Sequence, residues 1–373
     1  MNFWQQLKQQ KQPFFVVAPM ADVTDPAFRR LIAKYSRQGE VGGGPDVMWT
    51  EFVSANGLMS AGREVLARDL VFSEIERPIV AQFFSADPEK MEGAVALACE
   101  LGFDGIDINM GCPDKTIEKQ GAGAAMIKSP QAALAVIEAA KRAIVSSGKN
   151  IPLSVKTRVG YNAVQIEEWI PLLLKSGISA LTVHARTRKE MSKVPAHWEY
   201  LKKVVALRDE LAPETVILGN GDVTSLADGK ERARISGVDG VMVGRALFGN
   251  PWFFDESRAM TATIPKKPAR LLVFLKKLFP FISLESKRTA PVSVTRPITI
   301  AERLTVLVEH TKLFEELLGD IKSFSIMKKH YKAYCTGFAG AKELRIRLME
   351  EAKNGSDVEQ IVSEFLVVNN LVQ

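Results

Sequence analysis

The sequence predicts an α/β fold, a (β/α)8 TIM barrel followed by a small C-terminal α-helical bundle domain. Three observations predict it. Eight short apolar runs recur between residues 14 and 243, helix-like segments lie between them, and strand-like runs cease after about residue 254.

The runs are residues 14–20, 46–50, 79–83, 105–109, 153–157, 180–184, 216–220 and 240–243. Each is rich in Val, Ile, Leu or Phe. Most lack the polar alternation of a half-exposed strand, so they read as strands of a parallel sheet covered on both faces. The intervening helices include residues 87–101, 130–145 and 225–236. Asp87-Pro88 supplies a capping oxygen and then a proline where no backbone donor is needed. A doubly wound open sheet is the alternative. Its GxGxxG phosphate turn is absent, however, and Pro19-Met20-Ala21 stands after the first strand instead.

These signals place the barrel at residues 1–256. Residues 257–299 hold five prolines (265, 268, 280, 291 and 297) among scattered Lys and Arg, and read as a linker or insertion with one short amphipathic helix. Residues 300–373 carry apolar side chains at helical spacing: Leu304, Leu307, Val308, Leu313 and Phe314, then Leu344, Leu348, Ile361 and Phe365. About four helices are expected there.

The composition is that of an ordinary globular protein, with 46% hydrophobic and 25% charged residues among 373. A net charge of +6 permits a polyanionic partner without requiring one. The cysteines Cys99, Cys112 and Cys335 have no CxxC spacing, which argues against a disulfide framework or zinc site and for a reducing cytoplasm. No metal is expected. The N-terminus lacks the apolar run of a signal peptide. The most apolar stretch, residues 271–275, stops at Lys276-Lys277, far short of the roughly 20 residues that span a bilayer. A monomer without a membrane partner is expected.

Barrel enzymes work at the C-terminal ends of their strands, where the βα loops gather. The strand ends here are Pro19-Met20, Glu51, Gln82, Asn109, Lys156-Thr157-Arg158, His184-Ala185-Arg186, Asn220-Gly221-Asp222 and Gly244-Arg245. One such residue reads as a cap. Eight in succession read as a lined pocket. Gly221 and Gly244 let backbone N–H groups approach an oxyanion after strands seven and eight, and Arg245 adds a bidentate partner; ordinary turn glycines are the bland alternative. Lysine at a strand end is costly without a partner, so Lys156 suits an electron-rich group such as the N1–C2=O edge of a reduced flavin. Gln82 offers a donor and an acceptor to a flavin pyrimidine edge. Cys112 lies in the loop Asn109-Met110-Gly111-Cys112-Pro113, and no clear activating His or Lys adjoins it. With an ordinary pKa of about 8.5 it stays mostly a thiol at neutral pH, which suits proton donation. Cys99 and Cys335 read as small inert hydrophobes.

At these residues the sequence resembles the tRNA-dihydrouridine synthases. The matching pieces are Ala18-Pro19-Met20-Ala21, the run from Ile106 to Pro113, and Gly121-Ala122-Gly123-Ala124. Val155-Lys156-Thr157-Arg158, Val183-His184-Ala185-Arg186-Thr187-Arg188, Asn220-Gly221-Asp222, Val243-Gly244-Arg245-Ala246 and Gly249-Asn250-Pro251-Trp252 complete the set. The resemblance implies an FMN enzyme whose flavin is reduced by NADPH and then reduces the C5=C6 bond of a uridine in tRNA. It further implies that Pro19, Met20, Ala21, Gln82, Lys156, His184, Asn220, Gly221, Asp222, Gly244 and Arg245 hold FMN, that Cys112 is the acid, that Asn109 and Arg158 contact the uracil, and that the C-terminal helices bind tRNA. Two positions depart from the family's strand-six loop, where Glu190 replaces a Gln and Ser192 a Tyr.

Lys328, Lys329, Lys332, Lys342, Arg345 and Arg347 cluster in the C-terminal stretch, interleaved with Tyr331 and Tyr334. That pattern suits phosphate contacts and stacking on unpaired bases; a solvated helix face is the plain alternative. Two competing functions remain at this level. One is a flavin barrel acting on a free small molecule, which predicts activity without RNA. The other is an RNA-binding barrel that has lost catalysis, which predicts a colourless protein.

Overall fold

The computed structural model describes residues 1–10, 12–259 and 296–371. Eight parallel strands form one sheet: β1 Phe14–Val17, β2 Met48–Ser54, β3 Ile79–Phe84, β4 Gly105–Asn109, β5 Leu153–Arg158, β6 Ala180–His184, β7 Val216–Asn220 and β8 Gly240–Val243. Their spatial order is β1-β8-β7-β6-β5-β4-β3-β2. A bridge between Val16 and Val47 brings the two ends together, with Val17 N–H donating to Val47 O at 3.1 Å. The fold is a TIM barrel with a C-terminal helical region.

Alternation along the strands sorts the two faces. One set of residues, including Val16, Ala18, Trp49, Val80, Leu218 and Met242, forms its own apolar cluster, separate from the larger one against the helices. The first of these clusters also takes in Trp4, from the helix Phe3–Lys8. Its ring centroid lies 5.7 Å from that of Trp49 and 6.2 Å from that of Phe14, and Lys8 Nζ donates to Pro213 O and to Thr215 O just before β7. The hydrophilic-looking N-terminus is therefore a packed plug.

The helix signals act as expected. Asp87 Oδ1 accepts from Glu89 N at 2.9 Å and Lys90 N at 3.3 Å, and Gly102 ends that helix at φ 82°. Ser225 caps Leu226–Ser236 in the same way. Two strand boundaries differ from expectation. β1 ends at Val17, and Pro19-Met20 lies in a loop where Met20 O accepts from Thr24 N at 3.0 Å. β2 begins at Met48, because Asp46 turns aside to accept from Phe15 N at 2.7 Å. A register shift between Trp49 and Phe52 then carries Glu51 within the strand instead of at its end.

The C-terminal helices are Ile300–Leu318, Lys328–Tyr334, Ala341–Glu350 and Gly355–Val368. They share a second core, built on Leu304, Leu307, Phe314, Leu344, Leu348 and Ile361, that also includes Ala27, Leu31 and Trp252 of the barrel. The helix Ile300–Leu318 packs on the barrel helix Pro26–Tyr35. Most of the 257–299 segment, including the short amphipathic helix expected there, lies outside the described residues. No helix among those described is long and apolar enough to cross a membrane.

Candidate active site at the barrel mouth

A cavity of about 250 Å³ opens where β1, β5, β6, β7 and β8 end. Pro19 and Met20 line it from the β1 loop, and Lys156 and His184 from β5 and β6. Asn220, Gly221, Asp222, Gly244 and Arg245 line it from the last two strands. Nine expected residues thus share one wall. Ala21, Gln82, Asn109, Cys112 and Arg158 do not belong to that wall; Ala21 is exposed beside it, and the other four lie on β3, β4, the loop after it, and β5. Arg186 and Ser192 do line it, although neither was assigned a role from sequence. Arg186 stands two residues beyond His184, the spacing that keeps a strand-end pair on one side, and that was the available signal.

Beneath this wall a chain of side chains runs across the barrel interior. Asp107, fully buried on β4, accepts from Gln82 Nε2 and from Ser154 Oγ, both at 2.5 Å. Gln82 Oε1 accepts from Asn109 Nδ2 at 3.0 Å. Asn109 Oδ1 in turn accepts from Gly111 N at 3.1 Å and Cys112 N at 2.9 Å. The two amides therefore spend part of their capacity on each other and on the Cys112 loop. Gln82 keeps one donor hydrogen and one acceptor lone pair in reserve; Asn109, whose oxygen already accepts twice, keeps one donor hydrogen only.

The electrostatics follow from burial. Desolvation pushes the Asp107 carboxyl up to about 6, against the hydrogen bonds from Ser154 and Gln82 and the charge of Lys156. Burial, with Arg158 nearby, pulls Lys156 down to about 8. Its ammonium makes no hydrogen bond to any described residue. His184 is depressed well below its ordinary value by burial and then by Arg158, Lys156, Arg186 and Arg245. Cys112 is half-buried beside Phe52, Phe84 and Ile117, and burial raises its thiol above the usual value. Arg158 is anchored through Nε to Gly111 O at 2.7 Å and through Nη1 to Thr187 O and Met191 O at 3.2 and 3.0 Å. Its Nη2 has no partner among the described residues.

Asp222 sits at φ 53°, after Gly221 at φ 134°, and its carboxylate bridges Arg186 and Arg245. Glu190 accepts from Thr187 N at 2.7 Å and Thr187 Oγ1 at 3.0 Å, so it closes its own turn.

The C-terminal basic stretch is corrected in one respect. Tyr331 and Tyr334 are fully buried in the second core, so stacking on bases is closed to them. Lys329 pairs with Asp22 at 2.9 Å, Lys328 donates to Met349 O at 2.6 Å, and Arg347 pairs with Glu351 and Glu364. Lys332 and Lys342 are exposed and have no hydrogen-bond partner among the described residues.

A barrel whose mouth gathers an ammonium with no partner among the described residues, a neutral imidazole and two glycine turns beside a half-buried thiol belongs to the enzymes. The family model described as Dihydrouridine synthase (Dus) matches residues 16–369. A probable tRNA-dihydrouridine synthase of Staphylococcus aureus (strain MRSA252) is 35% identical over 367 residues, covering 98% of this chain and 95% of its own. A probable tRNA-dihydrouridine synthase 2 of Bacillus subtilis (strain 168) is 35% identical over 367 residues, covering 98% and 96%. A solved histamine dehydrogenase from Rhizobium sp. 4-9 overlays with a TM-score of 0.45 at 12% identity, over 68% of this chain and 47% of its own. The chain belongs to the dihydrouridine synthase family, and is an oxidoreductase of that family.

Proposed function

We propose that this protein reduces the C5=C6 bond of a uridine in tRNA, using FMN in the barrel-mouth cavity and NADPH as the electron donor. The observation that carries the reading is the Lys156 ammonium, set on the cavity wall with no partner among the described residues and with a pKa lowered to about 8. A half-buried cation left without an acceptor is costly, so the site calls for an electron-rich ligand.

The cavity residues fit such a group. A Cβ added at Gly221 would lie 2.7 Å from Ala196 Cβ, and one at Gly244 would lie 3.3 Å from Met20 Sδ, so both turns keep backbone close to the cavity. Gly221, Gly244 and Arg245 would receive the phosphate. Lys156, His184 and the reserve capacity of Gln82 would face the ring system, with Pro19, Met20, Ala21, Asn220 and Asp222 completing the cradle. When bound, FMN supplies a hydride for C6 of the uracil.

The chain's own groups do the rest. Cys112, a thiol held protonated by burial, gives its proton to C5. Such a positioned acid contributes roughly 10²–10⁴ in rate. Asn109 fixes the Cys112 loop through two backbone N–H groups and retains a donor hydrogen for the base. Arg158 keeps Nη2 free for a uracil carbonyl. The target base leaves its stack to reach the mouth. Lys332 and Lys342, which keep their charge open to solvent, supply phosphate contacts for tRNA.

The test is nucleoside mass spectrometry of tRNA from a strain lacking this gene, complemented with wild type or Cys112→Ala. One dihydrouridine should vanish, return with wild type and stay absent with the variant. A full dihydrouridine complement in the deletion strain would overturn the reading.

A further inference from the structure

We propose that Arg186 is a positioning residue that holds His184 as its Nδ1–H tautomer, turning the ring into a hydrogen-bond donor on the cavity wall. The proposal rests on the FMN reading above only for the identity of the acceptor.

A guanidinium donates hydrogen bonds and never accepts them. Arg186 Nη1 lies 3.0 Å from His184 Nε2, so the lone pair of Nε2 faces the guanidinium. A neutral ring with a bare Nε2 carries its hydrogen on Nδ1. An imidazolium would set N–H against N–H across this contact. It would also stand among Lys156, Arg158, Arg186 and Arg245, and burial with these four charges keeps the ring neutral.

Arg186 is held rigidly enough to impose this choice. It is 2% exposed, its Nε donates to Val194 O at 2.7 Å, and its Nη2 donates to the Asp222 carboxylate. Asp222 is itself fixed by Ala196 N at 2.9 Å and by Arg245. Gly221 leaves the Nε2 edge accessible to the guanidinium: a Cβ there would lie 3.4 Å from His184 Cδ2 and 3.6 Å from Nε2. On the other edge, Nδ1 bonds no described residue. The Lys156 ammonium, on the same cavity wall, bonds none either. Two donors of different character thus face one cavity, and its ligand presents acceptors to both: a carbonyl oxygen or an anionic ring edge.

The experiment uses full-length protein labelled with ¹⁵N-histidine, freed of flavin, and read by long-range ¹H–¹⁵N spectroscopy. The chain has four histidines, and His184→Gln assigns the pattern of this one. The Nδ1–H pattern is expected in wild type; an Nε2–H or imidazolium pattern overturns the proposal. Arg186→Met should release the ring to the Nε2–H form, and retention of Nδ1–H would deny Arg186 its role. Should that variant not fold, wild type labelled at arginine and histidine replaces it. A scalar coupling between Arg186 Nη1 and His184 Nε2 supports the contact, and its absence from a spectrum resolving both nitrogens overturns it. FMN binding is scored separately, by quenching of flavin fluorescence. FMN that fails to bind removes the cofactor reading and leaves the tautomer result standing. FMN that binds without shifting the His184 Nδ1–H resonance overturns the donor role.

Discussion

Acid should loosen the seam between the barrel and the C-terminal helices, because two histidines there have nowhere to place a proton. His310, in Ile300–Leu318, and His330, in Lys328–Tyr334, have ring centroids 4.5 Å apart and are fully buried. Phe28 of the barrel stacks on His310 at 5.4 Å, and Phe28 and Phe248 flank His330 at 5.2 and 5.5 Å. Neither nitrogen of His330 and not Nε2 of His310 has a hydrogen-bond partner among the described residues, while Tyr334 Oη lies 3.4 Å from His310 Nδ1. The charges that act on the pair are Lys329 on His330 and His330 on His310, all of one sign when protonated. Burial lowers His330 to about 3 and His310 well below its usual value.

The sign follows from proton linkage. The unfolded chain takes up these protons near pH 6.5 and the folded chain far lower. The stability is therefore present above pH 6.5 and is lost as pH falls toward 3. At pH 4.5 the deficit for His330 is two pH units, about 2.7 kcal/mol at 1.36 kcal/mol per unit. His310, lowered by burial and by His330, adds a cost in the same direction, against a stability of ordinary domain size. Urea midpoints of wild type and His330→Leu, compared from pH 7 to 4.5, measure this directly. The variant should gain on wild type by about 2.7 kcal/mol over that interval. Parallel pH profiles for the two proteins would refute the reasoning.

Lys322→Met should destabilise the protein by about 3–5 kcal/mol in urea at pH 8, because Lys322 Nζ lies 2.7 Å from both the buried Glu51 and Asp69. That loss should shrink below pH 7 as Glu51, raised to about 7 by burial and its acidic neighbours, takes a proton; an unchanged midpoint at pH 8 contradicts this. Cys112→Ala should lower dihydrouridine formation by roughly 10²–10⁴ with FMN affinity unchanged, measured by tRNA digestion and by fluorescence quenching. Lys332→Glu combined with Lys342→Glu should weaken tRNA binding and flatten the plot of log affinity against log salt by about 1 per lysine. Unaltered filter-binding curves would move the RNA surface elsewhere.

Much of the frame is legible in the chain. β4, β6, β7 and β8 begin and end where their apolar runs do. β7 and β8 carry no polar side chain before the mouth end, as strands covered on both faces should, while β4 and β6 each hold one buried polar residue, Asp107 and Thr182. Asp87, Gly102 and Ser225 act locally through their own caps, so their roles need no distant partner. The nine expected residues on the cavity wall were legible because barrel topology gathers strand ends at one mouth. Asp46 was read as the first residue of a strand run, whereas its carboxylate accepts from Phe15 N, 31 residues back, a partner that local sequence does not show. Tyr331 and Tyr334 were misread because interleaved Lys residues resemble a nucleic-acid surface in one dimension, whereas the helix turns both rings inward.

The order of apolar runs and the residues that end them thus determined by themselves a (β/α)8 barrel with a polar mouth, because short-range periodicity dictates which face of each element is buried. Tertiary structure decided the rest. Trp4 closes against Trp49, Lys322 joins Glu51 and Asp69, Asp107 orders the two amides behind the Cys112 loop, and Arg186 meets His184. Apart from that last neighbouring pair, these contacts join residues far apart in the chain. Even for Arg186, the bond depends on a carboxylate, Asp222, that only folding brings near.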